Sequence, residues 1–302
     1  MTENLLPGVM SPVVTPFDAD LAPDGARLVD QCRWLLGQQV GLAVFGTNSE
    51  ASSLSVDEKI QLLDEMLDGG VDPQWLVPGT GCCALPDSVA LTRHAVSRGC
   101  AGVLMLPPFY YKGVSDEGLY ASFSEVIQRV GDPNLRILLY HIPPVAQVGL
   151  SLELIERLLK AYPGIIAGIK DSGGDWRHTA ALLERHWDGF RVYAGSEAFL
   201  LQTMRAGGAG CISATANINP AAIARLQQNY QAPDADAQQS ALNSVRDRIS
   251  RYPMIPALKA VIAGARNDPT WNRVRPPLVA LSASQNRELQ SELKSMGFSL
   301  GV

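Results

Sequence analysis

The sequence predicts an α/β fold, a closed (β/α)8 barrel of parallel strands followed by a C-terminal helical extension. Two observations carry that expectation. Short apolar or β-branched runs alternate with longer amphipathic stretches through eight successive units, the pattern of a parallel sheet covered by helices. Unusual polar residues then follow those runs, at the strand ends where such barrels collect their chemistry.

The strand candidates begin near Val9, Leu42, Trp75, Val103, Ile137, Ile165, Val192 and Cys211. Between them lie helical patterns. Asp57 to Leu67 sets Ile60, Leu63, Met66 and Leu67 at three- and four-residue steps, and Leu152 to Ala161 behaves likewise. Ser55 can cap the first, with Glu58 completing a capping box, and Ser151 can cap the second. A doubly wound open sheet is the competing arrangement, but it usually carries a glycine-rich turn after its first strand. Here that strand ends in Thr15-Pro16-Phe17-Asp18, and Gly79-Thr80-Gly81 is too short for a phosphate loop. Past the eighth unit, Ala232-Pro233-Asp234-Ala235-Asp236 marks a break. Helical patterns resume at Ala237 to Ser250, Ile255 to Ala263 and Leu278 to Met296, too few and too polar to stand alone. The expected division is a catalytic barrel over 1–230 and a helical extension over 231–302 packed on it.

Composition narrows the function. The chain has 302 residues, 46% hydrophobic and 18% charged, enough for a sizeable core and unlike a disordered protein. A net charge of -5 without a Lys/Arg run disfavours nucleic acid as a partner. Neither a basic-then-apolar N-terminus nor an apolar stretch of about 18 residues appears, so a cytoplasmic protein with no membrane partner is expected. Cys32, Cys82, Cys83, Cys100 and Cys211 show no CxxC spacing and no His-rich complement, so buried free thiols are expected and no metal site or disulfide framework.

The most informative residue is Lys170. It closes the run Ile165-Ile166-Ala167-Gly168-Ile169 and opens the turn Asp171-Ser172-Gly173-Gly174. Desolvation at the mouth of a dry strand disfavours an ammonium and leaves some amine free to attack a carbonyl. Alone, the residue is equally accounted for by a packed stem with its head in water. A neighbour shifts the balance: Ile137-Leu138-Leu139 ends in Tyr140-His141-Ile142-Pro143. Adjacent parallel strands lie roughly 4.8 Å apart, which would bring a phenol and an amine to one pocket.

Other strand ends are less specific. Gly46-Thr47-Asn48-Ser49-Glu50 follows the second strand, where amides and hydroxyls can hold a carboxylate, or simply turn the chain. Pro107-Pro108-Phe109-Tyr110-Tyr111 follows the fourth and can pack aromatic rings under a loop. Ala194-Gly195-Ser196-Glu197 and Ile212-Ser213-Ala214-Thr215-Ala216-Asn217 follow the seventh and eighth, with Ser196 an equally good helix cap. Glu50 and Asp171 suit capping or ion pairing as well as catalysis. His94, His178 and His186 fall in helical stretches, and His141 points to the face opposite Tyr140.

Taken together, Gly46-Thr47-Asn48-Ser49-Glu50, Tyr110-Tyr111, Tyr140-His141-Ile142-Pro143, Gly168-Ile169-Lys170-Asp171-Ser172 and Gly208-Ala209-Gly210-Cys211-Ile212-Ser213 resemble, in order, the dihydrodipicolinate synthase / N-acetylneuraminate lyase family. The resemblance covers nearly the whole chain. It implies a TIM barrel with a C-terminal helical extension, assembled as a homotetramer, and class I pyruvate-type aldolase chemistry without a metal or organic cofactor. It makes Lys170 the Schiff-base residue, Tyr140 the proton-transfer group, Thr47 its hydrogen-bond partner and Tyr111 the end of a relay across a subunit contact. Thr47 and Asn48 become the carboxylate cradle, while Gly195, Ser196, Glu197 and Ile212 face the distal part of the substrate, with Ser213 behind them.

Two departures bear on the substrate. Synthase members carry an arginine two residues after the Tyr-x-x-Pro motif, where this chain has Val145 in Pro143-Pro144-Val145-Ala146, and Asn48 replaces a second hydroxyl residue. Val145 cannot bind a second carboxylate through a charge-assisted bond. The expected reaction is therefore cleavage of a 2-oxo-3-deoxy sugar acid, or another 4-hydroxy-2-oxo acid, to pyruvate and an aldehyde. Dihydrodipicolinate synthesis, dehydration or deamination of a hydroxy-2-oxo acid, and noncatalytic sensing of a 2-oxo acid are the competing functions. Retention of Lys170 and Tyr140 argues against the sensor.

Overall fold

The computed structural model describes residues 6–301. Seven parallel strands, β1 (Val9–Ser11), β2 (Gly41–Leu42), β3 (Val103–Met105), β4 (Ile137–His141), β5 (Ile166–Asp171), β6 (Arg191–Ala194) and β7 (Gly210–Ile212), form one sheet in the order β2-β1-β7-β6-β5-β4-β3. An eighth segment closes it. Leu76 bridges to Leu42 of β2 and Gly79 to Leu104 of β3, both parallel, with Val77 N–H donating to Leu42 O at 2.8 Å and Thr80 N–H to Leu104 O at 3.0 Å.

That eighth segment departs from expectation. The strand placed near Trp75 is a 3₁₀ turn over Pro73–Trp75, and pairing begins only at Leu76. Pro78 has no N–H to donate, so the ladder is reduced to isolated bridges. A Cβ on Gly79 would meet Phe45 O at 2.1 Å, so only glycine permits this approach to β2.

Helices alternate with the strands: α1 (Gly25–Gly37), α2 (Val56–Asp68), α3 (Leu85–Ser97), α4 (Asp116–Val130), the short α5 (Pro143–Ala146), α6 (Leu152–Ala161), α7 (Trp176–Glu184), α8 (Leu200–Arg205) and α9 (Pro220–Gln228). Ser55 caps α2 in a capping box with Glu58, and Ser151 accepts the Leu154 N–H at the start of α6. His186 lies past the end of α7 with φ 47, outside the helical stretch expected for it. Cys32 and Cys211 are buried and Cys82 and Cys100 half-buried, whereas Cys83, expected to be buried, is exposed just before α3.

Alternation along the strands divides the core. Ile137, Leu139, Ile169 and Val192 face outward into the layer beneath the helices. Leu138, Tyr140, Tyr193 and Ile212 face inward and fill the barrel with Met10, Ala43 and Leu104. Lys170 shares the inward face because it is two residues past Gly168, the β5 partner of Leu138.

After α9 come α10 (Ala235–Ile249), α11 (Met254–Arg266) and α12 (Ala283–Ser295). The last starts later than the sequence pattern suggests because Ser282 and Gln285 form a capping box there. Leu258, Val261 and Ile262 of α11 and Leu289 and Leu293 of α12 pack with Val14, Ala214 and Ile218 of the barrel. Among the described residues, no helix is long and apolar enough to cross a membrane.

Candidate active site

Parallel pairing of β4 with β5 puts Tyr140 opposite Lys170 and His141 opposite Asp171. Pro143 then ends β4 and starts α5. Lys170 is 2% exposed, and its ammonium donates to the Tyr140 hydroxyl at 3.2 Å. The same nitrogen lies 4.2 Å from the centre of the tyrosine ring. Among the described residues, no carboxylate lies within 4.0 Å of it. Thr47 Oγ1 lies 3.2 Å from the same phenolic oxygen. Burial raises the Tyr140 pKa, but the Lys170 charge and hydrogen bonds from Thr47, Lys170 and Ser172 outweigh it and hold the phenol below its ordinary value.

Ser172 closes the Lys170 motif without an expected role, and in the structure it hydrogen-bonds the Tyr140 hydroxyl. Gly195 makes room for it: a Cβ there would lie 2.0 Å from Ser172 Oγ. Thr47 and Asn48 sit half-buried in a 3₁₀ turn over Thr47–Ser49, at the mouth beside the phenol. Ile212 is fully buried on the inward face, and Ser196 caps the turn after β6 by accepting the Ala198 N–H at 3.1 Å. Tyr110 and Tyr111 are each 74% exposed and contact each other edge to face, so they do not pack beneath a loop.

Glu197 departs from expectation. Expected to face the distal part of the substrate, it is 1% exposed, accepts from Ser213 and Thr215, and pairs with Arg246 of α10 at 2.8 Å. Its carboxylate ties β6 to the turn after β7 and to α10. Glu50 has the ion-pair role: 3% exposed, it pairs with the fully buried Lys259 of α11 and accepts the Arg275 N–H at 2.9 Å. Burial pushes the Lys259 ammonium down to about 8 against the opposing influence of Glu50. Neither Arg246 nor Lys259 carried a local sequence signal for these contacts.

His141, Asp171 and His178 gather on the outer face, their ligand atoms within 4.8 Å of one another. The imidazoles stack with centroids 4.1 Å apart and planes 15° from parallel. A metal at about 2.0–2.1 Å from a nitrogen of each ring would have to leave both ring planes. His141 Nδ1 already accepts the Leu150 N–H at 3.1 Å, and Asp171 engages His178, Thr179 and the Gly173 N–H. The cluster thus ties β4 and β5 to α7.

Residues 5–296 match the dihydrodipicolinate synthetase family. The chain belongs to that family. It is 33% identical over 287 residues, 94% of this chain and 95% of the relative, to an uncharacterized DapA-like lyase of Chloroflexus aurantiacus. Its fold matches the crystal structure of dihydrodipicolinate synthase from Agrobacterium tumefaciens with a TM-score of 0.87 and 32% identity, covering 95% of this chain and 99% of that one. YagE, a prophage protein of this family from E. coli K12 solved with pyruvate, matches with a TM-score of 0.88 and 25% identity over 97% of this chain and 99% of its own. As a member of the family, the protein is a class I pyruvate-dependent aldolase or synthase on a barrel with C-terminal helices.

Proposed function

We propose that this enzyme reversibly cleaves a 2-oxo-3-deoxy sugar acid, or another 4-hydroxy-2-oxo acid, to pyruvate and an aldehyde. The observation that carries this reading is the buried Lys170–Tyr140 pair, with its 3.2 Å contact and a phenol held below its ordinary pKa. The free amine of Lys170 adds to the C2 carbonyl, and the carbinolamine takes a proton from solvent as water leaves, giving a protonated imine. The imine withdraws electrons from C2, so the C3–C4 bond breaks as the Tyr140 phenolate takes the C4 hydroxyl proton. The aldehyde departs, Tyr140 passes the proton it has taken to C3 of the enamine, and hydrolysis of the imine frees pyruvate, the Lys170 amine and one proton to solvent.

In this reading Thr47 orients the Tyr140 hydroxyl, and Thr47 and Asn48 cradle the substrate carboxylate. Gly195, Ser196 and Ile212 bound the distal end of the pocket. Tyr111, exposed at 74% in the single chain, completes the proton relay from a neighbouring subunit of a homotetramer. The same reading places the enzyme in the cytoplasm.

Val145 supports the choice of substrate: it is 62% exposed on α5 and offers no cation to a second carboxylate. Borohydride reduction with pyruvate should trap an adduct that peptide mass spectrometry maps to Lys170. A panel of 2-oxo-3-deoxy acids should then release pyruvate and an aldehyde. Products with an unbroken carbon skeleton would replace cleavage by dehydration.

A further inference from the structure

We infer that Lys259 is a positioning residue for the Tyr140–Lys170 pair: from α11 it holds Glu50, and through Glu50 the turn that presents Thr47 to the phenol. Its kinetic consequence rests on the reaction proposed above, whereas its structural consequence does not.

The chain of contacts is continuous. Glu50 adopts a left-handed backbone, φ 58 and ψ 34, which a non-glycine residue keeps only where its surroundings impose it. Those surroundings are specific. Its side chain lies between the Lys259 ammonium and the Arg275 N–H, and its own N–H donates to Thr47 O at 3.2 Å. Thr15 Oγ1 donates to Ser49 O at 2.7 Å on the other side of the turn. Thr47 Oγ1 then meets the Tyr140 hydroxyl at 3.2 Å. Lys259 is itself fully buried, donates to Arg273 O at 2.6 Å, and lies 4.5 Å from the centre of the Phe17 ring.

A buried ion pair is a poor source of stability, because desolvating both charges offsets their attraction, and an apolar pair of similar volume often serves equally well. What an ammonium supplies here is direction. It fixes one oxygen of Glu50 and with it the left-handed turn that aims Thr47. Thr47 stands in the turn that follows β2, yet its orientation is set by a helix from the far end of the chain.

The test is the ionisation of Tyr140, followed by phenolate absorbance as a difference against the matching Tyr140→Phe protein, in the parent and in Lys259→Met. No substrate is needed. Loss of the Thr47 hydrogen bond should move the titration to higher pH by roughly half a unit to one unit. Thr47→Val should do the same, and Thr47→Val with Lys259→Met should add nothing further, since both remove one interaction. If Lys259→Met fails to fold because Glu50 is left unpaired, the double variant Glu50→Gln/Lys259→Met removes both charges and should show the same shift. Turnover per borohydride-trapped site should fall roughly 10- to 100-fold, as expected for a displaced catalytic group, and KM should rise with it, because the same turn cradles the substrate carboxylate. A Tyr140 titration unchanged in these variants overturns the inference. Failure of the parent to trap pyruvate overturns the proposed reaction instead, and the titration still decides the role of Lys259.

Discussion

Tyr140 and Lys170 are register partners across the β4–β5 pair, and their reactive atoms lie 3.2 Å apart. The contact follows from the backbone, since two inward-facing positions in register on adjacent strands must share one part of the barrel interior.

Lys170→Ala should abolish turnover and the borohydride adduct while leaving a folded protein. The ammonium is buried with a phenol for company and no carboxylate within 4.0 Å among the described residues, so its removal strands no partner charge. Thermal melting by circular dichroism, run beside the trapping assay, checks both halves. Residual turnover at the parent rate would remove Lys170 from the chemistry.

Tyr140→Phe keeps the ring that fills the barrel and deletes the hydroxyl that touches Lys170 and Thr47. Imine trapping should persist while turnover falls about 10²- to 10⁴-fold, the usual worth of a positioned acid-base group. Single-turnover kinetics separate the two steps. Turnover within a few-fold of the parent would assign proton transfer to another group.

Substrate preference should follow the missing cation at Val145. A distal carboxylate there gains no charge-assisted bond, a loss of roughly 1.5–3 kcal/mol or about 10- to 150-fold in selectivity. Ser196 is the more exposed polar side chain of that strand end, beside the buried Glu197 that holds Ser213, Thr215 and Arg246. Neutral polyhydroxy aldehydes should exceed aspartate semialdehyde in kcat/KM with pyruvate saturating. The reverse order would mean that another cation reaches the pocket.

Acid should destabilise the enzyme through His141. Burial, with the neighbouring His178 charge adding to it and Asp171 opposing, pushes its pKa from 6.5 down to about 4. Between those values the unfolded chain takes up a proton that the folded chain refuses, so stability is lost as pH falls across that window. Asp171 acts in the same direction at lower pH: burial would raise its pKa, but hydrogen bonds from His178, Thr179 and Gly173 hold it below 3.8. His178 acts oppositely. Its hydrogen bond to Asp171 raises its pKa against burial, so its contribution is present below 6.5 and lost as pH rises through the raised value. The melting temperature should drop between about pH 6.5 and about pH 4, and His141→Asn, which keeps an acceptor for the Leu150 N–H, should flatten that drop. Equal slopes in the two proteins would acquit His141.

Much of the architecture is written locally. Short apolar or β-branched runs between amphipathic stretches located seven of the strands, and Ser55, Glu58 and Ser151 announced their helix starts. These signals are legible because capping and amphipathicity involve residues a few positions apart. The strand-end motifs around Thr47, Tyr140 and Lys170 were legible for a different reason: each is a local pattern at a strand end, and in a parallel barrel the strand ends meet at one mouth.

Tertiary structure decided what long-range packing controls. Pro78 turned the expected third strand into bridges, because barrel closure asked for a ladder hydrogen bond that proline cannot donate. Glu50 and Glu197 stand in equivalent turns after β2 and β6, and nothing near them in sequence shows that both carboxylates are buried. Their partners, Lys259 and Arg246, lie 209 and 49 residues away. A buried charge takes whichever opposite charge the packing brings within reach, and that pairing exists only once the C-terminal helices dock on the barrel.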